Sequence, residues 1–423
     1  MQEFTGTTLG KLVRLSTKAK GSGGHALPGL VVEKVFPSYL AKMLNKLPRG
    51  VVAITGTNGK TTTTKIVVEL LRSQGLKVLT NPTGSNMTRG IASGVIRQAK
   101  ISGKLDYDIA VFELDEASIT SFISQVKPRY VLALNVSRDQ LDRYGEVDKI
   151  AQLIGQAVEA ATEGVVTNAD DPNLTKVAKL AGAKVGYFGV ASKLQKFFPS
   201  DFELAAVSAV NGQENTPRRA LLVELADFSG QKVSFNIGGK SYSADFQLTG
   251  QHNFQNAAAA IALAKQLLPS VSSSELVDRA AGVSIAFGRG ETYKLASGAE
   301  VELVLVKNPA SFRQALASYA SGSEELAIAI NDRVADGRDT SWLWDVDLSP
   351  LTGRVVNITA GIRAADMALR LSYDQVETDY IEADLDKALS KIAGSPGRKV
   401  ILATYTAMLK LHADLTKLAG KKS

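Results

Sequence analysis

A glycine-rich stretch directly after an apolar run carries the clearest chemistry in this sequence. Residues 51–64 read VVAITGTNGKTTTT. Glycines at a strand-to-helix turn let backbone N–H groups approach phosphate oxygens, and the N-terminus of the helix adds its positive dipole. Lys60 can reach the β- and γ-phosphates of a nucleotide, and the Thr61 hydroxyl can ligate Mg²⁺. The predicted nucleotide-binding residues are Gly56, Thr57, Asn58, Gly59, Lys60 and Thr61.

This stretch departs from the strict phosphate-binding pattern GxxxxGK[ST], because Ile54 stands where the pattern has glycine. The apolar run before it and the helical TTTTKIVVELL after it supply the strand–loop–helix context that phosphate binding needs. An ordinary glycine turn that caps a helix is the alternative. We predict a P-loop that binds a nucleotide.

A second group of reactive side chains occupies residues 331–345, NDRVADGRDTSWLWD, together with both tryptophans of the chain. Trp342 and Trp344 alternate as on a strand, so both are expected to face one side, either in the core or at a subunit interface, where Trp is a common anchor. The carboxylates are not distinguished by type, since any of them could cap a turn or pair with Arg333 or Arg338. They are Asp332, Asp336, Asp339 and Asp345.

The composition excludes several kinds of site. There is no cysteine, so disulfides, thiolate zinc sites and a cysteine nucleophile in this chain are excluded. With three histidines in the chain, neither a multi-histidine metal centre nor a histidine-based triad is expected. No apolar run reaches the ~20 residues of a membrane span, and the first residues do not have the form of a signal peptide. A cytoplasmic protein is therefore expected.

Positive charge is concentrated in the first fifty residues. They hold eight Lys and Arg residues against Glu3 and Glu33, which accounts for +6 of the net charge of +7. Such a segment suits a phosphate, a nucleic acid or a membrane surface, although a solvated helix face explains it as well. No aromatic residues interleave with the basic ones, so nucleic acid is the weaker alternative.

Short apolar runs alternate with helical stretches between residues 51 and 169, which predicts right-handed βαβ units and a mostly parallel sheet. Residues 5–20 suit an amphipathic helix with Leu9, Leu12 and Val13 on one face. From about 185 to 250, VGYFGV, FELAAVSAV, ALLVEL, KVSFNI and SYSADFQL look like antiparallel strands. A second β/α series follows a boundary near 290. We expect an α/β protein in three parts, residues 1–50, 51–290 and 291–423.

Several segments carry a resemblance to known proteins. TGTNGKTTT (55–63) resembles the P-loop of the Mur ligases and folylpolyglutamate synthases, which activate a carboxylate with ATP as an acyl phosphate. NADD (168–171) and GQHNFQNAAAA (250–260) are similar to the central domain of that superfamily. The more specific segments resemble the MurT family over nearly the whole chain. They are LNVSRDQLDRYGEVD, AFGRGE, LVKNPASF, INDRVADGRDTSWLWDVD, GIRAADMALRL and LATYTAML.

The resemblance implies a fold, an activity and a partner. The fold is a Mur-ligase-type central P-loop domain followed by a Rossmann-like C-terminal domain. MurT proteins are the ligase-like subunits of lipid II isoglutaminyl synthase in peptidoglycan biosynthesis. With GatD, a glutamine amidotransferase subunit, they amidate the α-carboxylate of D-glutamate in the lipid II stem peptide. A heterodimer at the inner face of a bacterial membrane is therefore expected, with ATP and Mg²⁺ as cofactors.

The resemblance also assigns roles to individual residues. Glu113, in FELDEAS, holds Mg²⁺ with Thr61, as suits a carboxylate at the carboxyl end of a strand; a strand-end surface residue is the alternative. Asn253 and Asn256 lie near the adenine, although asparagines there could equally cap a helix. Arg289 neutralises the γ-phosphate during transfer.

The remaining assignments fall in the C-terminal part. Lys307 assists phosphate transfer. Asp339 completes a glutaminase triad whose Cys and His belong to the partner. Because such glutaminases need a cysteine nucleophile and this chain has none, a separate subunit must supply it.

Four features bear on the match. Only about fifty residues precede the P-loop here, where typical Mur ligases carry a domain that grips a UDP-linked substrate, so a lipid-linked substrate is expected. The 190–245 region lacks the four-cysteine zinc ribbon of many MurT proteins, so no zinc and a plain β-structure are expected. Gln140 replaces a superfamily histidine, and Lys149 comes too early to be the carbamylated lysine. A second metal site is therefore not assigned.

Two other functions fit parts of the sequence. A folylpolyglutamate-synthase-like ligase would add an amino acid without a glutaminase. A non-catalytic scaffold would only dock and activate a glutaminase, but Lys60, Glu113 and Arg289 argue against that alternative.

Overall fold

The computed structural model describes residues 2–19, 26–81, 86–137, 147–198, 220–284, 289–319 and 323–420. The chain divides into two compact units. The first comprises Met1–Val136, Val147–Leu248 and His252–Ser284, and the second comprises Ser137–Glu146, Thr249–Gln251 and Ile285–Ser423. None of the described helices is both long and apolar enough to cross a membrane.

The helices of the first unit are α1 (Gln2–Ala19), α2 (Leu27–Val35), α3 (Tyr39–Leu44), α4 (Lys60–Ser73), α5 (Thr88–Gln98), α6 (Ile119–Ile123), α7 (Val147–Ala160), α8 (Pro172–Val177), α9 (Gln251–Leu267) and α10 (Ser273–Ala281). Its strands are β1 (Val51–Thr55), β2 (Val78–Thr80), β3 (Ile109–Glu113), β4 (Tyr130–Ala133), β5 (Gly164–Asn168), β6 (Lys184–Val190), β7 (Val223–Ser229), β8 (Lys232–Ile237) and β9 (Lys240–Asp245).

The nine strands form one sheet in the order β2-β3-β1-β4-β5-β6-β7-β8-β9. Along this order, every neighbouring pair from β2–β3 to β6–β7 is parallel. The last two pairs, β7–β8 and β8–β9, are antiparallel. Strands β1, β3 and β5 are buried along their whole length, as in a sheet covered on both faces. The predicted mostly parallel sheet with an antiparallel section is confirmed.

One strand orientation was predicted wrongly. VGYFGV was expected in the antiparallel section, but β6 runs parallel to both β5 and β7. The reason lies in the connection before it, because α8 carries the chain back across the sheet between β5 and β6, and a helical crossover joins parallel strands. The predicted strand FELAAVSAV lies outside the described residues.

The N-terminal helix packs differently from its predicted amphipathic form. Leu12 is exposed, while Leu9 and Val13 are half-buried. The buried side of α1 instead consists of small residues: a Cβ on Gly6 would come within 2.6 Å of the Tyr39 ring, and one on Gly10 within 2.7 Å of Ile96. The helix therefore packs on its neighbours through close approach of its backbone and not through an apolar stripe.

The second unit contains α11 (Pro309–Tyr319), α12 (Ala364–Tyr373), α13 (Leu385–Ile392) and α14 (Tyr405–Leu418), with strands β10 (Arg289–Lys294), β11 (Ala299–Leu305), β12 (Glu325–Ala329), β13 (Val355–Ala360), β14 (Glu377–Glu382) and β15 (Gly397–Ala403). The sheet order is β10-β11-β15-β12-β13-β14, and all pairs except β10–β11 are parallel.

This second sheet is covered on both faces. Along β12, Leu326 and Ile328 join one apolar cluster with α11 and α12, whereas Ala327 and Ala329 join the other with α13 and α14. The alternation follows from the two-residue period of a strand. Helices on both sides of a parallel sheet confirm the predicted α/β class.

Candidate active site

The predicted P-loop is the turn between β1 and α4, and its two glycines are required there. Gly56 and Gly59 have φ angles of 132° and 84°, which side chains with a Cβ rarely adopt. A Cβ on Gly59 would lie 2.2 Å from Asn256 Oδ1, and one on Gly56 would lie 3.0 Å from the backbone N of Asn135. The loop is therefore packed tightly between the ends of two neighbouring elements.

Asn135 fixes the shape of the loop, and no motif in the sequence singles this residue out. Its carbonyl accepts the Thr57 N–H at 3.1 Å, its Oδ1 accepts the Asn58 N–H at 2.8 Å, and its Nδ2 donates to Asn58 O at 3.0 Å. The signal available in the sequence was its position just after β4, at the carboxyl edge where α/β sheets bind ligands.

Lys60 is buried and folded back onto its own loop. Its Nζ donates to Gly56 O at 2.5 Å, to Thr57 O at 3.4 Å and to Glu116 Oε2 at 3.0 Å. Burial alone would lower the pKa of Lys60, but the carboxylates of Glu116, Asp115 and Glu113 outweigh it and raise the pKa. The ammonium is therefore charged at neutral pH.

Glu113 ends β3 directly beside β1, paired in register with Ile54. Its backbone is fixed by Asn81, and Asn86 Nδ2 donates to Oε1 at 3.5 Å. In the described part of the chain, no group of three or more His, Asp or Glu side chains could hold a metal ion unaided. One carboxylate and one hydroxyl, from Glu113 and Thr61, nevertheless suit Mg²⁺, which takes few protein ligands and completes its shell with phosphates and water.

The two asparagines of HNFQN lie within α9 and are buried. They are the third and sixth residues of the helix, so the N-capping alternative is wrong for both. Asn256 Nδ2 donates to Asn253 Oδ1 at 3.4 Å, and Asn256 contacts the P-loop at Gly59. The structure thus places Asn256 at the phosphate loop, and its role toward adenine stays a prediction.

Two predicted phosphate ligands belong to the second unit. Arg289 begins β10, opposite Val304 of β11. Lys307 follows β11 and is half-buried, and its backbone N–H donates to Ser311 Oγ at 2.9 Å. Their roles in phosphate transfer stay predictions.

The loop after β12 separates its aspartates into distinct environments. Asp332 pairs with Arg363 at 2.7 Å and not with its neighbouring arginines. Asp336 is buried and accepts the backbone N–H of Arg333 as well as the N–H and hydroxyl of Thr406. This loop is therefore tied to the first turn of α14 at the carboxyl edge of the second sheet.

Asp339 is held more loosely than Asp336. One of its oxygens accepts the Ser341 N–H at 2.8 Å, and the residue is half-buried. The carboxylate is thus oriented by a local turn and partly open to solvent, which leaves it able to accept a further donor.

The two tryptophans do not face one side, contrary to the prediction. Residues Ser341–Asp345 form a 3₁₀ turn and not a strand. Trp342 is 7% exposed and packs against Phe312, whereas Trp344 is 50% exposed and lies edge-on to Tyr373 at 5.1 Å. A three-residue turn period points side chains two positions apart in different directions.

Some predictions fall outside the described residues. Gln140 is among them, as is 199–219 of the region where a plain β-structure was expected. Lys149 lies in α7 and is exposed.

Two known domain families match separate ranges of the chain. Residues 54–264 match the Mur ligase middle domain, and residues 305–408 match the MurT ligase C-terminal domain. The subunit MurT of lipid II isoglutaminyl synthase (glutamine-hydrolyzing) from Streptococcus pneumoniae (strain ATCC BAA-255 / R6) is 31% identical over 441 residues, covering 96% of each chain. The protein of the same name from Staphylococcus aureus (strain COL) is 29% identical, covering 99% of this chain and 98% of its own.

Solved structures share the fold. MurF from Acinetobacter baumannii superposes with a TM-score of 0.68 at 19% identity, covering 92% of this chain and 80% of its own. MurF ligase from Thermotoga maritima, solved in complex with ADP, has a TM-score of 0.67 at 16% identity, covering 91% and 84%. These likenesses establish a Mur-ligase fold.

Proposed function

The chain belongs to the MurT family of ATP-dependent, Mur-type ligases, and from this premise we propose that it is the synthase subunit of a lipid II isoglutaminyl synthase. It amidates the α-carboxylate of D-glutamate in the lipid II stem peptide and so yields D-isoglutamine. The observation that carries the proposal is the buried, charged Lys60 in a tightly packed P-loop, next to Glu113.

The reaction we propose has two steps. A carboxylate oxygen of the substrate attacks the γ-phosphorus of ATP, which forms an acyl phosphate and releases ADP. Ammonia then attacks the acyl carbon, phosphate leaves, and the nitrogen loses a proton to give the amide. Both steps concentrate negative charge on phosphate oxygens, which preorganised cations stabilise.

Residues of this chain supply those cations and the binding loop. The backbone of 56–61 cradles the phosphates, Lys60 neutralises the β- and γ-phosphates, and Arg289 neutralises the transferred group with help from Lys307. Asn253 and Asn256 line the nucleotide site from α9. Thr61 and Glu113 would hold Mg²⁺, which when bound supplies further charge neutralisation.

Ammonia comes from a partner in this proposal. A glutaminase of the GatD type provides the Cys and His that this chain cannot supply, since it has no cysteine and three histidines. Asp339 orients that His from the C-terminal part, which contacts the partner. Its support is the contrast within one loop. Asp332 is paired with Arg363 and Asp336 is bound by Thr406, whereas Asp339 accepts one local hydrogen bond among the described residues.

The substrate places the protein at a membrane. Lipid II is lipid-linked, so we propose that the chain binds peripherally at the inner face of the bacterial membrane. The concentration of charge in the first fifty residues supports this placement, because the surface of that leaflet is negative.

The test is reconstitution with a GatD-type subunit from the same organism, followed by an assay of glutamine- and ATP-dependent amidation of lipid II. Lys60→Ala should lower the rate by ~100-fold or more, the usual cost of removing a preorganised charge donor. Lys65→Ala, on the same helix α4, should leave it unchanged.

Each alternative function predicts a different result. Amidation that persists in Lys60→Ala would favour a scaffold over a ligase. Addition of an amino acid without any glutaminase would favour a folylpolyglutamate-synthase-like ligase, and failure to form a complex would refute the two-subunit enzyme.

A further inference from the structure

The ammonium of Lys60 has no hydrogen left for a nucleotide. A lysine ammonium carries three N–H donors, and three acceptors surround it: the carbonyls of Gly56 and Thr57 and the carboxylate of Glu116. A phosphate that binds in the P-loop must therefore displace one of these acceptors. Glu116 is the one that carries a charge, so its displacement has the largest electrostatic consequence.

Glu116 is fixed where it contacts Lys60. It begins the 3₁₀ turn Glu116–Ser118 after β3, and the Asp115 side chain caps that turn by accepting the Ala117 N–H at 3.1 Å. The residue is 2% exposed, and its Oε1 is buried without a hydrogen-bond partner among the described residues. A buried carboxylate needs a compensating charge, and Lys60 provides it at 3.0 Å.

We propose that Glu116 is a positioning residue that competes with the nucleotide phosphates for Lys60 and thereby makes nucleotide binding depend on a divalent cation. When Lys60 turns to a phosphate, the Glu116 carboxylate keeps its charge close to the phosphate oxygens in a site shielded from water. Like charges repel strongly there. A divalent cation bound with the nucleotide offsets the repulsion, since carboxylate and phosphate oxygens both attract it.

The inference rests on the assignment of the phosphate site to residues 56–61, and not on the substrate that is amidated. It therefore applies to nucleotide binding by the chain alone or in its complex. Binding of ADP is the suitable readout, because the γ-phosphate reaction does not enter it.

The test is titration with ADP, once in excess EDTA and once in excess Mg²⁺, of the wild type, Glu116→Gln and Glu69→Gln. The control Glu69 is an exposed glutamate of α4 paired with Arg72. Glutamine keeps the shape of Glu116 and an oxygen acceptor for Lys60 but removes the charge. Glu116→Gln should lower the Kd for ADP in EDTA about five- to tenfold. The Kd in EDTA divided by the Kd in Mg²⁺ should fall by the same factor. Glu69→Gln should match the wild type.

A second substitution separates charge from folding. Glu116→Asp retains the carboxylate and should keep the metal dependence of the wild type even if Glu116→Gln unfolds, which thermal denaturation would reveal. Unchanged or weaker metal-free binding by a folded Glu116→Gln would overturn the role of Glu116 alone, as would loss of the metal dependence in Glu116→Asp. A wild type that binds no ADP even with Mg²⁺ would overturn the phosphate site and this inference together.

Discussion

Asp339 and Asp347 have the same local geometry but different expected roles. Each accepts the backbone N–H of the residue two positions later, from Ser341 at 2.8 Å and from Ser349 at 2.9 Å. Asp339 lies three positions after Asp336, which is tied to α14, whereas Asp347 lies eleven positions after it. The position of a carboxylate in the fold, and not its own turn, therefore separates the two.

We predict that Asp339→Asn abolishes glutamine-dependent amidation while free ammonia still supports it. An asparagine cannot stabilise the imidazolium that forms on the partner's histidine, and loss of the orienting acid in such triads costs roughly 10⁴-fold. Rates with glutamine and with ammonium chloride measure the effect in the reconstituted complex. Asp347→Asn is the matched control and should change neither rate. Equal loss with both nitrogen sources would move Asp339 to the ligase site or to the fold.

At the level of residues, the sequence identified groups whose function depends on neighbours along the chain. Lys60 and Thr61 are recognisable because the glycines and the helix that position them are adjacent. Asn135 and Glu116 were missed because their partners, Asn58 and Lys60, lie 77 and 56 positions away in the sequence. Only the pairing of β3 and β4 with β1 brings them together.

At the level of elements, α1 shows that small residues can define a buried helix face. Gly6, Thr7 and Gly10 face α2, α3 and α5, and the Thr7 hydroxyl is 2.7 Å from the hydroxyl of Tyr39. The helix backbone can approach its neighbours closely because these positions lack bulk. An added side chain there must displace packed atoms.

We predict that Gly10→Val destabilises the first unit by about 1–3 kcal/mol, the usual cost of overpacking. The new Cβ would meet Ile96 at 2.7 Å, before the valine methyl groups are counted. Thermal unfolding and limited proteolysis after residue 19 measure the effect. Leu12→Ser, on the exposed side of the same helix, should change neither. Equal stability of Gly10→Val and the wild type would show that the packing of α1 does not depend on its small residues.

The elements themselves were largely predictable, while their geometry was not. Apolar runs located β1, β2, β3 and β5 within one residue at each end, since buried parallel strands are continuous in hydrophobicity, whereas the run YVLALNV (130–136) extends three residues past β4. The direction of β6 depends on the helical connection before it. The 3₁₀ turn at Ser341–Asp345 places Trp342 in the core beside Phe312. Phe312 is distant in the sequence, so the alternation of Trp342 and Trp344 alone could not predict this turn.

At the level of the whole molecule, charge and exposed apolar side chains coincide in α1. Leu12 and Leu15 are 57% and 65% exposed and lie one turn apart, and Phe4 is exposed on the same helix. Lys11 and Arg14 flank the two leucines. An exposed apolar strip with basic neighbours is typical of helices that bind the surface of anionic membranes.

We predict that the double substitution Leu12→Glu/Leu15→Glu abolishes binding to vesicles that contain anionic phospholipid. It removes apolar contact and adds two negative charges where the membrane is negative, each worth about 1 kcal/mol at the surface. Co-sedimentation with anionic and with neutral vesicles measures binding, and Leu180→Glu, an exposed leucine elsewhere in the first unit, is the control. Amidation of detergent-solubilised lipid II should remain.

Wild-type protein that does not sediment with anionic vesicles would contradict the prediction. Loss of the glutaminase from the double variant would indicate that this face of α1 binds the partner.

The end strand β14 bears on how the protein behaves when it is concentrated. One side of β14 pairs with β13, and among the described strands none pairs with the other side. Open strand edges template the stacking of further chains into aggregates, and charged side chains along the edge oppose it. Glu377, Asp379 and Glu382 give β14 three carboxylates in six residues. These side chains therefore favour dispersed molecules in concentrated solution, and substitutions that replace them with neutral residues would favour edge-to-edge aggregation.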